Sequence, residues 1–572
     1  MKFIKLLVFT IFIVGFTMPV FANVPTISVD ELRPGMRGYA KTVIKGTDIE
    51  TFDVEVLGVT GSNTGGQSIL IKASGPVIER SGGIAQGMSG SPVYINGRLA
   101  GAVAFGKAFS DPNYCFLTPI EDMLKMFNET TPRPSVFLPK NTPLMVSGFT
   151  KDGLDYLREK LEPLDLKAYG VPAGKANLDN VKLEPASSLG VELVRGDLEV
   201  GVIGTVTYTD DEGRLLAFGH PFLQRGAADY FLTNAWIFAS VPNMESAFKV
   251  GALGNLLGRV SQDRSVGIGA ELNKYPKIIP VFVSVTDKDR GTHLNTSVQL
   301  ITDEDLVPKL VDSVCFNTIS KAVDRNGGGT SRIGFTVTAR GDDSEEIVLK
   351  RENMFFDNAN IAKITDSELN FACEMLMKNK SEKVNIFDVN VNVEMTSDFE
   401  VAEIVGAKMR NKTYAPGDKV PIIIDFKPYR SEKFSRTVEF KIPEKQKPGN
   451  VRLVIRSGSA FGWLQSLLKK QAAAGTGAPT IEKKKDLKAF LKDFNEADSN
   501  NEVIVDILPN TSRRLAVVEK EVPKEENKDK DEDKPIAPSL NSMIKGSKYK
   551  QGFSMDFVVD GEVEMNFKVG NK

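Results

Sequence analysis

The order of apolar and polar positions divides the chain before any residue is given a role. Over residues 24–130, strand-like runs such as 51–60 and 67–72 are broken by glycine-rich turns and end in a helical pattern at 119–127. Period-two alternation between turn residues predicts strands, and apolar positions three and four apart predict helix. Residues 131–190 read as a connector, proline-rich over 131–143 and then carrying one amphipathic helix near 152–162. β-type runs return between 191 and 302, at 199–207 and 278–285, and helical patterns follow at 304–323 and 367–378 within a mixed segment, 303–382. From 383 to 572 the alternation of Val389, Val391, Val393 and Met395, repeated through 420–426 and 451–455, predicts a β-sandwich. Two stretches interrupt it. One is a helical insertion at 463–494, split by an Ala/Gly-rich run at 472–479. The other is a Lys/Glu/Asp run at 519–538, too polar to bury and read as a surface loop.

Composition then removes classes of function. Lys2 and Lys5 precede an apolar stretch at 6–18, and Val20-Phe21-Ala22 is a small-residue cleavage site. That order is the pattern of a secretory signal. Residues 1–22 are therefore set aside, and the rest is expected in the periplasm, at the cell surface or in the medium. No later segment has the roughly 18 uninterrupted apolar residues of a membrane helix, and the length predicts about three to five domains. The balance of 72 Lys+Arg against 74 Asp+Glu argues against a nucleic-acid partner. Three cysteines cannot form a disulfide framework, although export permits one bridge; the apolar surroundings of Cys115, Cys315 and Cys373 predict buried thiols. His220 and His293 lie far apart with no Cys or His at ligand spacing, so no metal or cofactor is expected.

The most informative stretch runs Gly87-Met88-Ser89-Gly90-Ser91-Pro92, then a strand, Asn96-Gly97, and a second strand ending at Phe105-Gly106. Asn-Gly is favoured in a two-residue hairpin turn because both central residues need positive φ. Ser89 is thus placed at the start of a hairpin, where the small neighbours Gly87 and Gly90 let a carbonyl approach the backbone. The amides of Gly87 and Ser89 then form a possible oxyanion hole. The whole pattern, through Asn113–Leu124, resembles the nucleophile region of chymotrypsin-like serine proteases. That resemblance carries two departures. Met88 stands where the family's zymogen-activating Asp is usual. Gly83 falls on the floor of the specificity pocket, where the lack of charge implies a small or apolar substrate side chain. The strand Ala102, Val103, Ala104, Phe105, Gly106 is implied to pair with substrate backbone.

A serine hydroxyl needs a base. The second motif, Leu216-Ala217-Phe218-Gly219-His220-Pro221, delivers His220 at a strand end, whereas His293 sits in a polar run. Taken together, the motifs resemble the sporulation stage IV B (SpoIVB) type serine peptidases of the chymotrypsin-like clan: Gly219-His220, a shortened Gly267-Ile268-Gly269, and Gly87 to Pro92. The likeness covers about 24–125 and 190–300 and does not reach the C-terminal part. It implies a mainly β, chymotrypsin-like double barrel, with a serine-bearing half at 23–130 and a histidine-bearing half at 191–302. The family runs from histidine to serine; here the order is reversed, as a circular permutation would give. The family's third member, an Asp, falls on Ser74, so a Ser89–His220 dyad is expected, with Asp263 as a candidate to orient the imidazole.

These readings point to an exported serine endopeptidase that processes polypeptide substrates selectively. Self-processing at the 131–145 connector or at 519–538 is a further option. The alternative is a peptidase fold retired to extracytoplasmic binding or scaffolding, favoured by the missing Asp and the large C-terminal region.

Overall fold

The computed structural model describes residues 24–62, 66–106, 111–128, 143–172, 178–243, 246–342, 345–459, 484–508 and 549–570. The signal-like start, most of the proline-rich connector and the 519–538 run lie outside them. The protein is mainly β. Strands β1 (Arg37–Val43), β2 (Ile49–Ser62), β3 (Gly66–Ser74), β4 (Pro92–Ile95), β5 (Arg98–Phe105) and β6 (Tyr114–Pro119) close a barrel in the order β1-β2-β3-β6-β5-β4. Its interior is filled by alternate residues of these strands, among them Val54, Val56, Ile69, Ile71, Val93 and Leu117. The β4–β5 turn is the predicted one: Asn96 and Gly97 both take positive φ, 51° and 76°.

The connector contributes two short strands, β7 (Leu144–Ser147) and β8 (Ala168–Gly170), around a helix at Lys151–Leu161. Thr150 caps that helix, its hydroxyl accepting from the Gly153 N–H. A second ring follows. Strands β9 (Ser188–Gly196), β10 (Glu199–Thr209), β11 (Arg214–Ala217), β12 (Gly226–Val241), β13 (Phe248–Arg264) and β14 (Gly267–Leu272) pair in the cycle β9-β12-β13-β14-β11-β10, and β10 pairs back to β9. Two six-stranded barrels are therefore present, the expected architecture of a mainly β, barrel-like fold.

From β9 the sheet continues through β16 (Thr292–Leu300), β15 (Ile279–Asp287), β19 (Asn385–Thr396), β17 (Gly329–Arg340) and β18 (Glu346–Asp357). Helices at Val307–Val323 and Ser367–Met377 pack on it and share its core. The strand at 385–396, grouped by its alternation with the C-terminal sandwich, joins this sheet, parallel to β15 and antiparallel to β17. Alternation says only that one face is buried; here Ile386, Val389, Val391 and Val393 face the same core as the helices. The sandwich itself has a four-stranded and a five-stranded sheet around a separate core. The second part of its helical insertion, Lys484–Asn495, lays Leu487, Phe490 and Phe494 into the core of the extended sheet. All three cysteines are buried and free, and no helix among the described residues is long and apolar enough to cross a membrane.

Candidate active site

The two barrels meet where the two motifs lie. Backbone bridges join Gly46 to Ile237 and Gln86 to Phe248. An apolar seam between them includes Leu99, Ala102 and Met123 on one side and Tyr208, Leu216 and Val266 on the other. The serine turn is fastened across this seam by Thr205 of β10. Its N–H donates to the Ser89 carbonyl (2.9 Å) and its hydroxyl to the Gly87 carbonyl (2.9 Å), while the Thr207 hydroxyl donates to the Gly90 carbonyl (2.8 Å). Gly90 has φ +97°, and a Cβ there would lie 1.9 Å from the Thr205 oxygen and 2.6 Å from the Phe218 nitrogen. Only glycine permits that approach.

Within the turn, hydrogen bonding alternates. The N–H of Gln86 donates to Ala247 O, that of Met88 to Ala85 O, that of Gly90 to Val103 O and that of Ser91 to Met88 O. Among the described residues the N–H groups of Gly87 and Ser89 find no acceptor. Amides without a partner inside a fold are uncommon, and two of them on either side of one residue form a ready pair of donors for an oxyanion. Ser89 itself is partly exposed between buried neighbours, Met88 and Gly90.

His220 is buried at 3% exposure and follows two consecutive left-handed residues, Phe218 (φ 68°) and Gly219 (φ 69°). A left-handed non-glycine residue stores about 1–3 kcal/mol of strain, a feature concentrated at functional sites. Gly219 is pinned to the first barrel, its carbonyl accepting from the Thr118 hydroxyl at 2.5 Å. Nδ1 of His220 lies 2.7 Å from the Pro221 carbonyl. A carbonyl only accepts, so Nδ1 carries the proton and Nε2 is the unprotonated nitrogen. Burial pushes the imidazole pKa down to about 4, partly offset by the Pro221 carbonyl, so the ring is neutral at neutral pH.

The serine and histidine segments are therefore neighbours across Thr205, whose carbonyl accepts from Phe218 N (3.4 Å). Among the described residues the Ser89 hydroxyl forms no hydrogen bond, and catalytic contacts are often long before substrate binds. Asp263 is fully buried and its two oxygens accept from the N–H groups of Phe222 (2.8 Å) and Leu223 (2.7 Å). It holds the turn after His220-Pro221 through the backbone. Ser74 ends β3 and is exposed. Gly83 is buried against Pro112. In the proposed substrate strand, Val103 already exchanges backbone hydrogen bonds with Ser91 and Gly90, and Ala102 pairs with Pro92 and Thr118. Toward the end of the strand Phe105 is likewise paired, with Phe116 of β6. Thr205 and Lys249, both buried at the turn, had no sequence signal: each sits in a strand run that reads as ordinary barrel.

Residues 22–124 match the family model described as SpoIVB peptidase S55. No curated protein and no solved structure matches the chain. The matched segment contains the whole first barrel with Ser89 and ends before His220. Over residues 22–124, under a fifth of its length, the chain is similar to the SpoIVB-type serine peptidases.

Proposed function

We propose that the protein is an exported serine endopeptidase acting through Ser89 and His220, in selective processing and not bulk digestion. The single observation that carries this reading is the pair of unpartnered amides, Gly87 and Ser89, on the turn that presents the serine. Ser89 Oγ attacks the peptide carbonyl carbon, and its proton passes to Nε2 of His220. The carbonyl oxygen becomes an anion and accepts from the two amides. Collapse of the intermediate breaks the C–N bond, and His220 returns the proton to the leaving amine; water then releases the acyl group by the reverse sequence. A positioned base contributes about 10²–10⁴-fold and one oxyanion donor about 3–4 kcal/mol. Asp263 touches no reacting group in this scheme and fixes the histidine turn. The reversed order of the two segments fits a permuted pair of barrels, since the chemistry depends on geometry and not on chain order.

A fluorophosphonate probe tests the reading. Wild type should be labelled at Ser89, and Ser89→Ala and His220→Ala should each lose labelling. A folded wild type that is never labelled would place the protein among binding or scaffold proteins. Gly83, packed on Pro112 and carrying no charge, fits a small or apolar substrate side chain. A peptide-library profile dominated by cleavage after Lys or Arg would contradict that pocket.

A further inference from the structure

Lys249, second residue of β13, is 1% exposed and lies directly beneath the serine turn. Its stem packs on Gly87: a Cβ at Gly87 would sit 3.1–3.2 Å from Lys249 Cβ, Cγ and Cδ. Its backbone N–H donates to the Gln86 carbonyl at 2.9 Å. Its Nζ donates to two buried hydroxyls, Thr42 Oγ1 (3.2 Å) and Thr205 Oγ1 (3.3 Å). Thr205 in turn donates to the carbonyl of Gly87 and, through its N–H, to that of Ser89. Among the described residues no carboxylate pairs with the amine.

A buried amine without an ionic partner is costly, and a methionine would fill the same space without desolvating a polar head. Packing alone therefore does not account for a lysine here. What the amine adds is a direction for the Thr205 hydroxyl. By taking the oxygen lone pairs of Thr205, Nζ turns the hydroxyl hydrogen toward the Gly87 carbonyl. Carbonyls held from below fix the Gly87–Met88 and Ser89–Gly90 peptide planes, which adjoin the planes carrying the Gly87 and Ser89 N–H groups. Desolvation pushes the Lys249 pKa down to about 7, so much of the population at neutral pH is the uncharged amine. Its two N–H groups match the two threonine oxygens.

We infer that Lys249 is a positioning residue of the serine turn, acting through Thr205 to hold the oxyanion-binding amides of Gly87 and Ser89 in place. The inference rests on the serine peptidase reading for its kinetic consequence, but not for its structural one. In the full chain, Lys249→Met and Thr205→Val should each slow fluorophosphonate labelling of Ser89 by about tenfold or more. They should lower kcat for a peptide substrate with KM little changed, while Thr205→Ser, which keeps the hydroxyl, retains the wild-type rate. The amide chemical shifts of Gly87 and Ser89 should move in Lys249→Met and Thr205→Val and stay in Thr205→Ser. Wild-type labelling together with unmoved shifts in Lys249→Met overturns the inference. If Lys249→Met does not fold, a Thr205→Val variant indistinguishable from Thr205→Ser overturns it instead. If wild type is never labelled, the peptidase reading fails, and the amide shifts alone decide the role of Lys249.

Discussion

At His220 burial outweighs the hydrogen bond to Pro221, and this has a consequence for stability. The unfolded imidazole takes a proton near pH 6.5, whereas the folded one resists until about 4. Between those values the unfolded chain binds more protons, so stability falls as the pH drops through that window and is unaffected above it. The difference amounts to roughly 3 kcal/mol. Denaturant titrations should show wild type losing stability relative to His220→Gln between pH 6.5 and 4. A difference between the two that stays flat with pH would mean that the ring is solvated in solution. The neutral, singly protonated ring is also the form a serine needs as its base. Burial, more than any carboxylate, sets that state here.

At the scale of elements, the barrels are joined by turns that tolerate no side chain. Gly90 is the sharpest case, since a methyl group there would run into the Thr205 carbonyl of the opposite barrel while keeping a φ of +97°. Gly90→Ala is expected to cost on the order of 2–4 kcal/mol from strain and displaced backbone. Gly58→Ala, where nothing lies within 4 Å of the added carbon, should stay within about 1 kcal/mol of wild type. Equal denaturation midpoints for the two variants would show that the barrels do not meet at Gly90. The Gly87–Pro92 and Leu216–Pro221 motifs were legible as sequence because glycine and proline at fixed offsets report backbone demands directly. Thr205 was not, because a threonine in a strand run is ordinary until the partner carbonyls are known.

For the whole molecule, the segment 497–500 that leads into the sandwich strand Glu502–Leu508 docks on a buried ion pair of the central sheet. Arg351 of β18 meets Glu368 of the Ser367–Met377 helix at 2.5 and 3.0 Å, and also donates to the carbonyls of Ala497 (2.7 Å) and Asp498 (3.0 Å). Asn353 donates to the same carboxylate, and its side-chain oxygen accepts from Asn500 N (2.7 Å). Arg351→Met leaves Glu368 buried without its cation and should cost about 3–5 kcal/mol, measured by chemical denaturation. The double variant Arg351→Met/Glu368→Leu should regain most of that loss. If the single variant is as stable as wild type, the network does not hold that segment in place.

Sequence alone determined the β-rich class, the helices at Lys151–Leu161, Val307–Val323 and Ser367–Met377 to within a few residues, and the hairpin after Ser89. Each of these is written in local periodicity or in turn chemistry, which neighbouring residues settle among themselves. It also singled out Ser89 and His220, because glycine marks where a backbone must bend sharply. Tertiary structure decided the rest. It closed β9 onto β10 to make the second barrel, and it sent the strand at 385–396 to the central sheet. It spent Asp263 on backbone amides and placed Lys249 under the serine turn. Alternation tells a strand which face to bury but not against which partner. A lone lysine in a strand run reads as solvated until the opposite barrel is packed over it.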